Sequence, residues 1–371
     1  MHRVLVLGGY GFFGSRICEA LARNPRVHLL IAGRNEQKAT ALAYKLGIGA
    51  ARAKVVDATS PQLALLLRKL EVGTVIHTAG PFQEQNYAVA QAAIQARCNY
   101  FDLADARSFV GGIPRLDEAA RAAGVAVVSG VSSLPALTSA VVDRYLDRFE
   151  RLDAIRIGLT SGARVPGIAT IQAVLGYAGK KFRVLEKGQW VDVHGWLDRV
   201  EYEFAKPVGL RLLGRCDVPD LDLLAQRYAG VKSVSFHAGF ASDTIHKLIE
   251  WLATQVRDGR LTSASGFAKP FATVGRWIEP MLSDRGAMFI RMEGMLQGAP
   301  HRLTWQIVAR ENHGPNIPCG AAIALTNKVA GGAQLTPGAY PCMGLLDVDD
   351  LMEPLKGLAV RELPPPDPGS R

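Results

Sequence analysis

The sequence predicts an α/β protein in which a doubly wound parallel sheet is followed by a second, α+β domain built on a largely antiparallel sheet. Two observations lead to this fold class. Short apolar runs alternate with helical stretches up to about residue 130, the pattern of βα units joined by right-handed crossovers. After residue 151 strand-like segments dominate, and Leu303–Ile307 alternates apolar and polar residues, as a strand with one solvated face does.

The parallel sheet begins at Val4–Leu7, an apolar run too short for a helix and typical of a buried strand. The same pattern predicts further strands at 27–32, 53–56, 75–78, 100–103 and 125–128. Helices are expected between them, near 38–45, 61–70, 85–96 and 116–123. Because the connections are short, successive strands should run parallel in one sheet.

The pattern changes at a long amphipathic helix predicted for 135–148. We therefore expect a first domain at 1–133 and an α+β substrate domain at 134–313. A small-residue helix at 314–332 is expected to return and pack on the first domain. The remaining segment, 333–371, ends in a proline-rich tail that we expect to be disordered.

Composition excludes several classes of protein. Five scattered cysteines without a CxxC motif indicate reduced thiols in a cytoplasmic protein and predict no metal site. The net charge of +9 comes from basic residues spread along the chain without a basic run, so a nucleic-acid partner is not expected. Neither a signal peptide nor an integral membrane segment is expected, because the apolar runs are short.

The stretch after the first strand is the most informative in the chain. It reads Gly9-Tyr10-Gly11-Phe12-Phe13-Gly14 and leads into a helical segment with Ile17 and Leu21. Strand, glycine-rich turn and helix in this order are what a dinucleotide pyrophosphate requires, since glycines allow a tight turn and close backbone approach. The helix N-terminus then offers N–H groups to the anion. The first domain is therefore predicted to be a Rossmann domain.

The ends of the next strands predict the rest of the cofactor site. Arg34 stands after the second strand, where NAD enzymes usually carry an acid. An arginine can pair with the additional phosphate of NADP, so NADP(H) is the predicted cofactor. Asp57 and Ala58 follow the third strand, at the edge where an adenine would lie. Ala79-Gly80-Pro81-Phe82 follows the fourth, with Phe82 expected near the nicotinamide.

These motifs together resemble the saccharopine dehydrogenase-like oxidoreductases. The resemblance rests on the glycine stretch, Ala32–Arg34, Val75–Phe82, Asn99–Leu103 and Pro135–Leu137, with a weaker likeness at Gly314–Pro318. It implies NADP(H) binding and hydride transfer at a C=N or C=C bond of a small-molecule or lipid substrate. In one place the chain departs from the family, which usually has Gly and Glu where this sequence has Ala104 and Asp105.

Hydride transfer to a polarised double bond requires a proton donor nearby. Tyr100 and Asp102, at the end of the fifth strand, are the predicted catalytic residues, with Tyr100 as donor and Asp102 either orienting it or binding an amine. Asp105, Ser132 and His313 are predicted substrate contacts.

Two other interpretations remain open. Tyr177 and Lys181 have the Tyr-x-x-x-Lys spacing of short-chain dehydrogenases and epimerases, in which the lysine lowers the pKa of the tyrosine. The second is a non-catalytic NADP sensor. The expected partner is a small molecule, and a homodimer is an expected assembly.

Overall fold

The computed structural model describes residues 1–83, 85–162, 168–278 and 283–366. The chain divides into two compact units. The first contains Met1–Ala140 and Pro315–Leu355, and the second contains Val141–Gly314 and the chain from Lys356 onward. The first unit is therefore built from two separate stretches of sequence.

The first unit contains a parallel sheet of seven strands within the described residues. Strands are numbered along the whole chain, so the numbers of this sheet are not consecutive. Its strands are β1 (His2–Leu7), β2 (Val27–Gly33), β3 (Ala53–Val55), β4 (Thr74–His77), β5 (Asn99–Asp102), β6 (Ala126–Ser129) and β15 (Gly338–Pro341). Their spatial order is β15-β6-β5-β4-β1-β2-β3. From β1 the chain adds β2 and β3 on one side and then β4, β5 and β6 on the other. Such a change of direction creates a ligand crevice at the carboxyl edge of a doubly wound sheet.

Helices cover this sheet because each presents one apolar face to it, as α1 does with Ile17, Cys18 and Leu21 buried. The helices before the division are α1 (Gly14–Leu21), α2 (Glu36–Lys45), α3 (Leu63–Lys69), α4 (Ala88–Ala96), α5 (Arg107–Gly112) and α6 (Asp117–Ala123). The division falls inside α7 (Thr138–Tyr145), and the late stretch adds α12 (Ile317–Ala330) and α13 (Val348–Met352). Small residues let α12 pack closely, and it is buried from Cys319 to Thr326.

The second unit is organised around a mixed sheet. Its strands are β7 (Arg151–Thr160), β8 (Lys181–Glu186), β9 (Gln189–His194), β10 (Val200–Phe204), β11 (Gly209–Arg215), β12 (Ser233–Gly239), β13 (Gly286–Leu296), β14 (Ala299–Ala309) and β16 (Val360–Leu363). The main order is β10-β11-β12-β7-β13-β14-β16. β12 and β7 pair in parallel, and the other described pairs are antiparallel. The helices are α8 (Ile168–Gly176), α9 (Asp220–Arg227), α10 (Asp243–Arg257) and α11 (Ala268–Ile278).

The predicted fold class is confirmed, and the structure adds two features. β15 and β16 form in the C-terminal segment 333–371, for which no strand was predicted, and they pair with β6 and β14. The predicted helix over 135–148 is instead a π-helical turn, Ser133–Leu137, followed by α7 and a short 3₁₀ turn. The last five residues of the proline-rich end, 367–371, lie outside the described residues.

Candidate functional site

The glycine turn, Gly8–Gly14, connects β1 to α1. Gly8 has a φ of +82°, a conformation that glycine adopts without strain. The N–H groups of Gly8 and Gly9 donate to the Ala32 carbonyl at 2.9 and 3.0 Å, which ties the turn to β2. A Cβ on Gly14 would lie 2.2 Å from the Gly8 carbonyl oxygen. Glycine at position 14 therefore allows α1 to start this close to the turn.

The first turn of α1 presents backbone N–H groups at the carboxyl edge of the sheet. Phe13 stands at the N-cap and makes no side-chain capping bond. The first N–H groups of α1 therefore lack the side-chain acceptor that a Ser, Thr, Asp or Asn N-cap commonly supplies. Arg16 lies with its guanidinium 4.6 Å from the centre of the Phe12 ring and donates to the Phe12 carbonyl. A partial positive helix end beside a close backbone turn suits a phosphate group.

A second turn, the β2 turn Gly33–Asn35, stands next to the glycine turn. The Tyr10 ring occupies the space beside Gly33, where a Cβ would lie 2.5 Å from the ring atom Cε1. The Asn35 N–H donates to the Tyr10 hydroxyl at 2.8 Å. Arg34, between them, is exposed, and its charge helps to lower the pKa of Asp57 after the larger effect of hydrogen bonds from Thr59.

The end of β4 supports the glycine turn from the other side. The Thr78 hydroxyl lies 2.9 Å from the Leu7 carbonyl oxygen and 3.1 Å from that of Gly8. Its Oγ1 would also lie 2.8 Å from a Cβ on Gly14. The loop that follows, Ala79–Phe82, is held by Gln85, whose Nε2 donates to the Ala79 and Pro81 carbonyls at 2.7 and 2.8 Å.

Phe82 was expected near the nicotinamide, and the structure shows its ring packed inside the first unit. It is 5% exposed. The ring centroids of Phe82 and His77 are 5.0 Å apart, and those of Phe82 and Phe109 are 5.3 Å apart. These contacts fix the loop after β4, and contact between Phe82 and the cofactor stays a prediction.

Below this loop lies a buried polar cluster formed by His77, Tyr100, Asp102 and Ser129. Tyr100 and Asp102 are both 0% exposed, and the Tyr100 hydroxyl lies 3.0 Å from His77 Nδ1. Asp102 Oδ1 accepts from the Ser129 hydroxyl at 3.0 Å and from the N–H groups of Ala104 and Gly130 at 3.0 and 2.9 Å. The carboxyl group thus ties the end of β5 to the end of β6.

Burial controls the protonation of this cluster. Burial raises the pKa of Asp102 to about 6, although the hydrogen bonds that it accepts oppose this shift. Burial lowers the pKa of His77 to about 4, because the charged imidazolium is poorly solvated there. The pKa of Tyr100 is raised, first by burial and then by the charge of Asp102. His77 and Tyr100 are therefore neutral at pH 7.

The glycine turn, the β2 turn and the loop after β4 fall inside a region that matches a known family. Residues 4–128 match the family described as the saccharopine dehydrogenase NADP binding domain. The first unit therefore contains an NADP-binding domain similar to that of the saccharopine dehydrogenases. No curated protein sequence matches the chain.

Two solved structures show the same fold. Apo saccharopine dehydrogenase (L-Glu forming) from Saccharomyces cerevisiae is similar with a TM-score of 0.69 and 14% identity, covering 98% of this chain and 99% of that chain. Amine dehydrogenase from Mycobacterium smegmatis is similar with a TM-score of 0.50 and 11% identity, covering 91% and 94%. At these identities the likeness is one of fold.

NADP(H) is the cofactor of this domain, and two structural observations fit it. The glycine turn is compact and leaves its backbone uncovered by side chains at Gly11 and Gly14, where a Cβ would meet the Gly8 carbonyl oxygen at 2.9 or 2.2 Å. An exposed guanidinium, that of Arg34, stands on the adjoining β2 turn. An arginine can pair with the 2′-phosphate, the group that distinguishes NADP from NAD.

The predicted substrate contacts are divided between the two units. Asp105 follows β5 in the NADP-binding domain, is exposed, and accepts from Gln83 Nε2 at 3.2 Å. Ser132 is half-buried, with its N–H donating to the Gly130 carbonyl at 2.8 Å. His313 belongs to the second unit, where its Nδ1 accepts from the Ala359 N–H at 2.9 Å. Their contact with a substrate stays a prediction.

The alternative pair Tyr177 and Lys181 lies outside the NADP-binding domain. α8 ends at Gly176, so the two residues do not share a helix face as the Tyr-x-x-x-Lys arrangement requires. Tyr177 stacks with Trp196 at a centroid distance of 6.3 Å. Lys181 pairs with Asp192 at 2.7 Å. The short-chain dehydrogenase interpretation was therefore wrong about these residues.

The described residues offer neither a metal site nor a membrane-spanning helix. Among them, no three His, Cys, Asp or Glu side chains come together as a metal site would need. Within the same residues, no helix combines the length and apolar character needed to cross a membrane.

Sequence reasoning missed three residues that shape the site. Gly8, rather than the glycines of the motif, has the positive φ. Thr78 and His77 were read as part of a buried strand, but their polar atoms contact the glycine turn and Tyr100. A threonine directly after a buried strand, opposite a glycine-rich turn, was the available signal for Thr78.

Proposed function

We propose that the chain is an NADP(H)-dependent oxidoreductase acting on a C=N or C=C bond of a small-molecule or lipid substrate. The observation that carries this proposal is the closure of α1 on the glycine turn beside a turn that exposes Arg34. The NADP-binding domain supports the redox class. When bound, the cofactor supplies or accepts a hydride at its nicotinamide ring.

In this proposal the cofactor residues lie along the carboxyl edge of the parallel sheet. The glycine turn, with Tyr10, Phe12 and Phe13, holds the pyrophosphate against the N-terminus of α1, and Arg34 pairs with the 2′-phosphate. Asp57 and Ala58 border the adenine. The loop Ala79–Phe82 borders the nicotinamide, and Gln85 fixes the backbone of this loop.

Tyr100 is retained as the proposed proton donor and Asp102 as the residue that orients it. Neither side chain is exposed, and Asp102 also acts through the loops that it holds. Asp102 fixes the backbone at Ala104 and Gly130, which precede the substrate candidates Asp105 and Ser132. Loss of Asp102 should therefore displace both of these residues.

The remaining features of the proposal concern the whole chain. We propose the cofactor domain at 1–133 with the helix at 314–332, and the substrate domain at 134–313. A cytoplasmic location is supported by the five cysteines, all of which are described and are buried thiols outside any disulfide. A homodimer remains a prediction.

The test is direct oxidation of the cofactor. Purified chain is mixed with NADPH and a panel of imines, enoyl thioesters and lipid enones, and the absorbance of the reduced nicotinamide is followed. We expect it to fall with at least one class of substrate, and to stay constant with a Gly14→Ala variant. If the chain bound neither NADPH nor NADH, the cofactor assignment itself would be overturned.

One observation favours a second candidate, a non-catalytic NADP sensor. Tyr100, the predicted proton donor, and Asp102, the other predicted catalytic residue, are both 0% exposed. Tight NADPH binding without oxidation across the whole panel, including reactions run in reverse with NADP⁺ and amines, would support the sensor.

A further inference from the structure

The glycine turn and the β2 turn are joined by one side chain, Tyr10. Its ring fills the space next to Gly33, where a Cβ would lie 2.5 Å from Cε1 and 2.6 Å from the hydroxyl oxygen. Gly33 does not have a positive φ, so the ring, rather than backbone strain, is what a side chain would meet at that position.

The hydroxyl of Tyr10 also accepts a hydrogen bond from the Asn35 N–H at 2.8 Å. Asn35 is the N-cap of α2, and its Oδ1 accepts from the Lys38 N–H at 2.9 Å. The β2 turn is therefore contacted at Gly33 by the Tyr10 ring and held at Asn35 by the Tyr10 hydroxyl and the cap of α2. Arg34 is the residue between these two attachments.

The side chain of Arg34 is exposed, and within the described residues it forms no hydrogen bond or ion pair of its own. Its position is thus set by the backbone of the β2 turn. A flexible arginine loses rotamer and backbone freedom when it pairs with a ligand, and a fixed backbone reduces that loss. The group that orients the turn should therefore influence affinity for the 2′-phosphate.

We propose that Tyr10 is a specificity-determining positioning residue, which favours NADPH over NADH by holding the β2 turn so that Arg34 meets the 2′-phosphate. This proposal rests on the NADP-binding assignment. NADH lacks the 2′-phosphate, so it would lose little when the hydrogen bond to Asn35 is removed.

The test uses Tyr10→Phe and binding titrations with NADPH and NADH. A single hydrogen bond contributes a modest net free energy, so we expect the NADPH dissociation constant to rise about three- to tenfold and that of NADH less than about twofold. Tyr44→Phe is the matched control, because Tyr44 is an exposed tyrosine on α2 in the same unit. It should change neither constant.

A double-mutant cycle separates this role from a general loosening of the site. If Tyr10 acts through Arg34, Tyr10→Phe should have no further effect on NADPH in an Arg34→Ala background. Additive losses in the double variant, or equal losses for both nucleotides in the single one, would overturn the proposal. Failure of the unaltered chain to bind either nucleotide would instead overturn the cofactor assignment.

Gly33→Ala provides an independent check if Tyr10→Phe is poorly folded. The added methyl group should displace the Tyr10 ring and reproduce the selective loss of NADPH affinity. Circular dichroism and thermal unfolding of each variant identify those that remain folded. An alanine variant that is folded and retains its preference for NADPH would contradict the role of Tyr10.

Discussion

Arg34 is the residue on which the choice between the two nicotinamide cofactors depends. It is exposed on the β2 turn, and its charge helps to lower the pKa of Asp57. An unsatisfied guanidinium beside a phosphate cradle can pair with the 2′-phosphate through charge-assisted hydrogen bonds.

Arg34→Ala should weaken NADPH binding by about 1–3 kcal/mol, the range for hydrogen bonds to charged groups, and NADH binding much less. Isothermal titration calorimetry with both nucleotides measures the difference. Arg23→Ala, an exposed arginine just past the C-terminal end of α1, is the control and should leave both affinities unchanged. Equal losses for NADPH and NADH would remove the assignment of Arg34 to the 2′-phosphate.

Among single residues, the sequence could predict a role where that role depends on the residue's place relative to a strand or helix along the chain. Arg34 is such a residue, because it directly follows a buried strand. The contact of Tyr10 with Asn35 could not be predicted, since it depends on how two turns twenty-five residues apart meet in space. The positive φ of Gly8 was hidden because Gly8 and Gly9 look alike in sequence.

At the scale of secondary structure, the contact between α1 and the glycine turn depends on the absence of a side chain at Gly14. Gly14→Ala places a methyl group 2.2 Å from the Gly8 carbonyl oxygen and 2.8 Å from Thr78 Oγ1. We expect α1 to move away from the turn, with lower stability and a loss of affinity for both nucleotides.

Thermal unfolding and nucleotide titration measure this effect. Gly111→Ala is the matched control, because Gly111 is an exposed helical glycine with nothing within 4 Å of an added Cβ. That change should be neutral or slightly stabilising, since alanine favours helix. Equal affinities for the Gly14→Ala variant and the unaltered chain would show that the turn does not hold the cofactor.

The ends of β5 and β6 are linked by Asp102, and this link should depend on pH. The pKa of Asp102 rises from 3.8 to about 6 on folding, so the folded chain binds its proton more tightly than the unfolded chain. Stability from this group is therefore greatest at low pH and is lost as the pH rises from about 4 to about 6. His77, with its pKa lowered to about 4, gives the opposite slope up to its ordinary pKa.

The Asp102→Asn substitution removes the pH dependence of stability that comes from Asp102 and leaves the one that comes from His77. The difference in unfolding free energy between variant and unaltered chain should shift in favour of the variant between pH 4 and 6, by up to roughly 3 kcal/mol. Urea denaturation at a series of pH values measures it. A difference that is constant across this range would mean that Asp102 does not titrate as its burial implies.

At the scale of the whole molecule, the sequence predicted the fold class because βα alternation and strand alternation are local patterns. It could not predict that Gly338–Pro341 would pair with β6, because a four-residue strand flanked by turns has little signal of its own. Its attachment is tertiary: the Cys342 N–H donates to the Ser129 carbonyl at 2.8 Å, and the Ala339 N–H donates to Asp117 at 2.9 Å.

A chain that ends at residue 335 should therefore bind NADPH more weakly and unfold at a lower temperature, although the predicted pyrophosphate and 2′-phosphate contacts lie within the first 34 residues. A chain that ends at residue 366 is the control, because it retains β15 and β16 and should behave as the full chain does. Unchanged NADPH affinity in the shorter chain would show that β15 is dispensable for the cofactor site.

The position of β15 also has a consequence for biosynthesis. A ribosome releases β6 roughly 200 residues before β15, an interval of about 10–40 s at ordinary translation rates. During that interval the neighbouring edge of the nascent sheet has unpaired backbone groups, which favour aggregation. Newly made chains should therefore depend on chaperone protection late in translation, and ribosome profiling of chaperone-bound nascent chains would reveal that window.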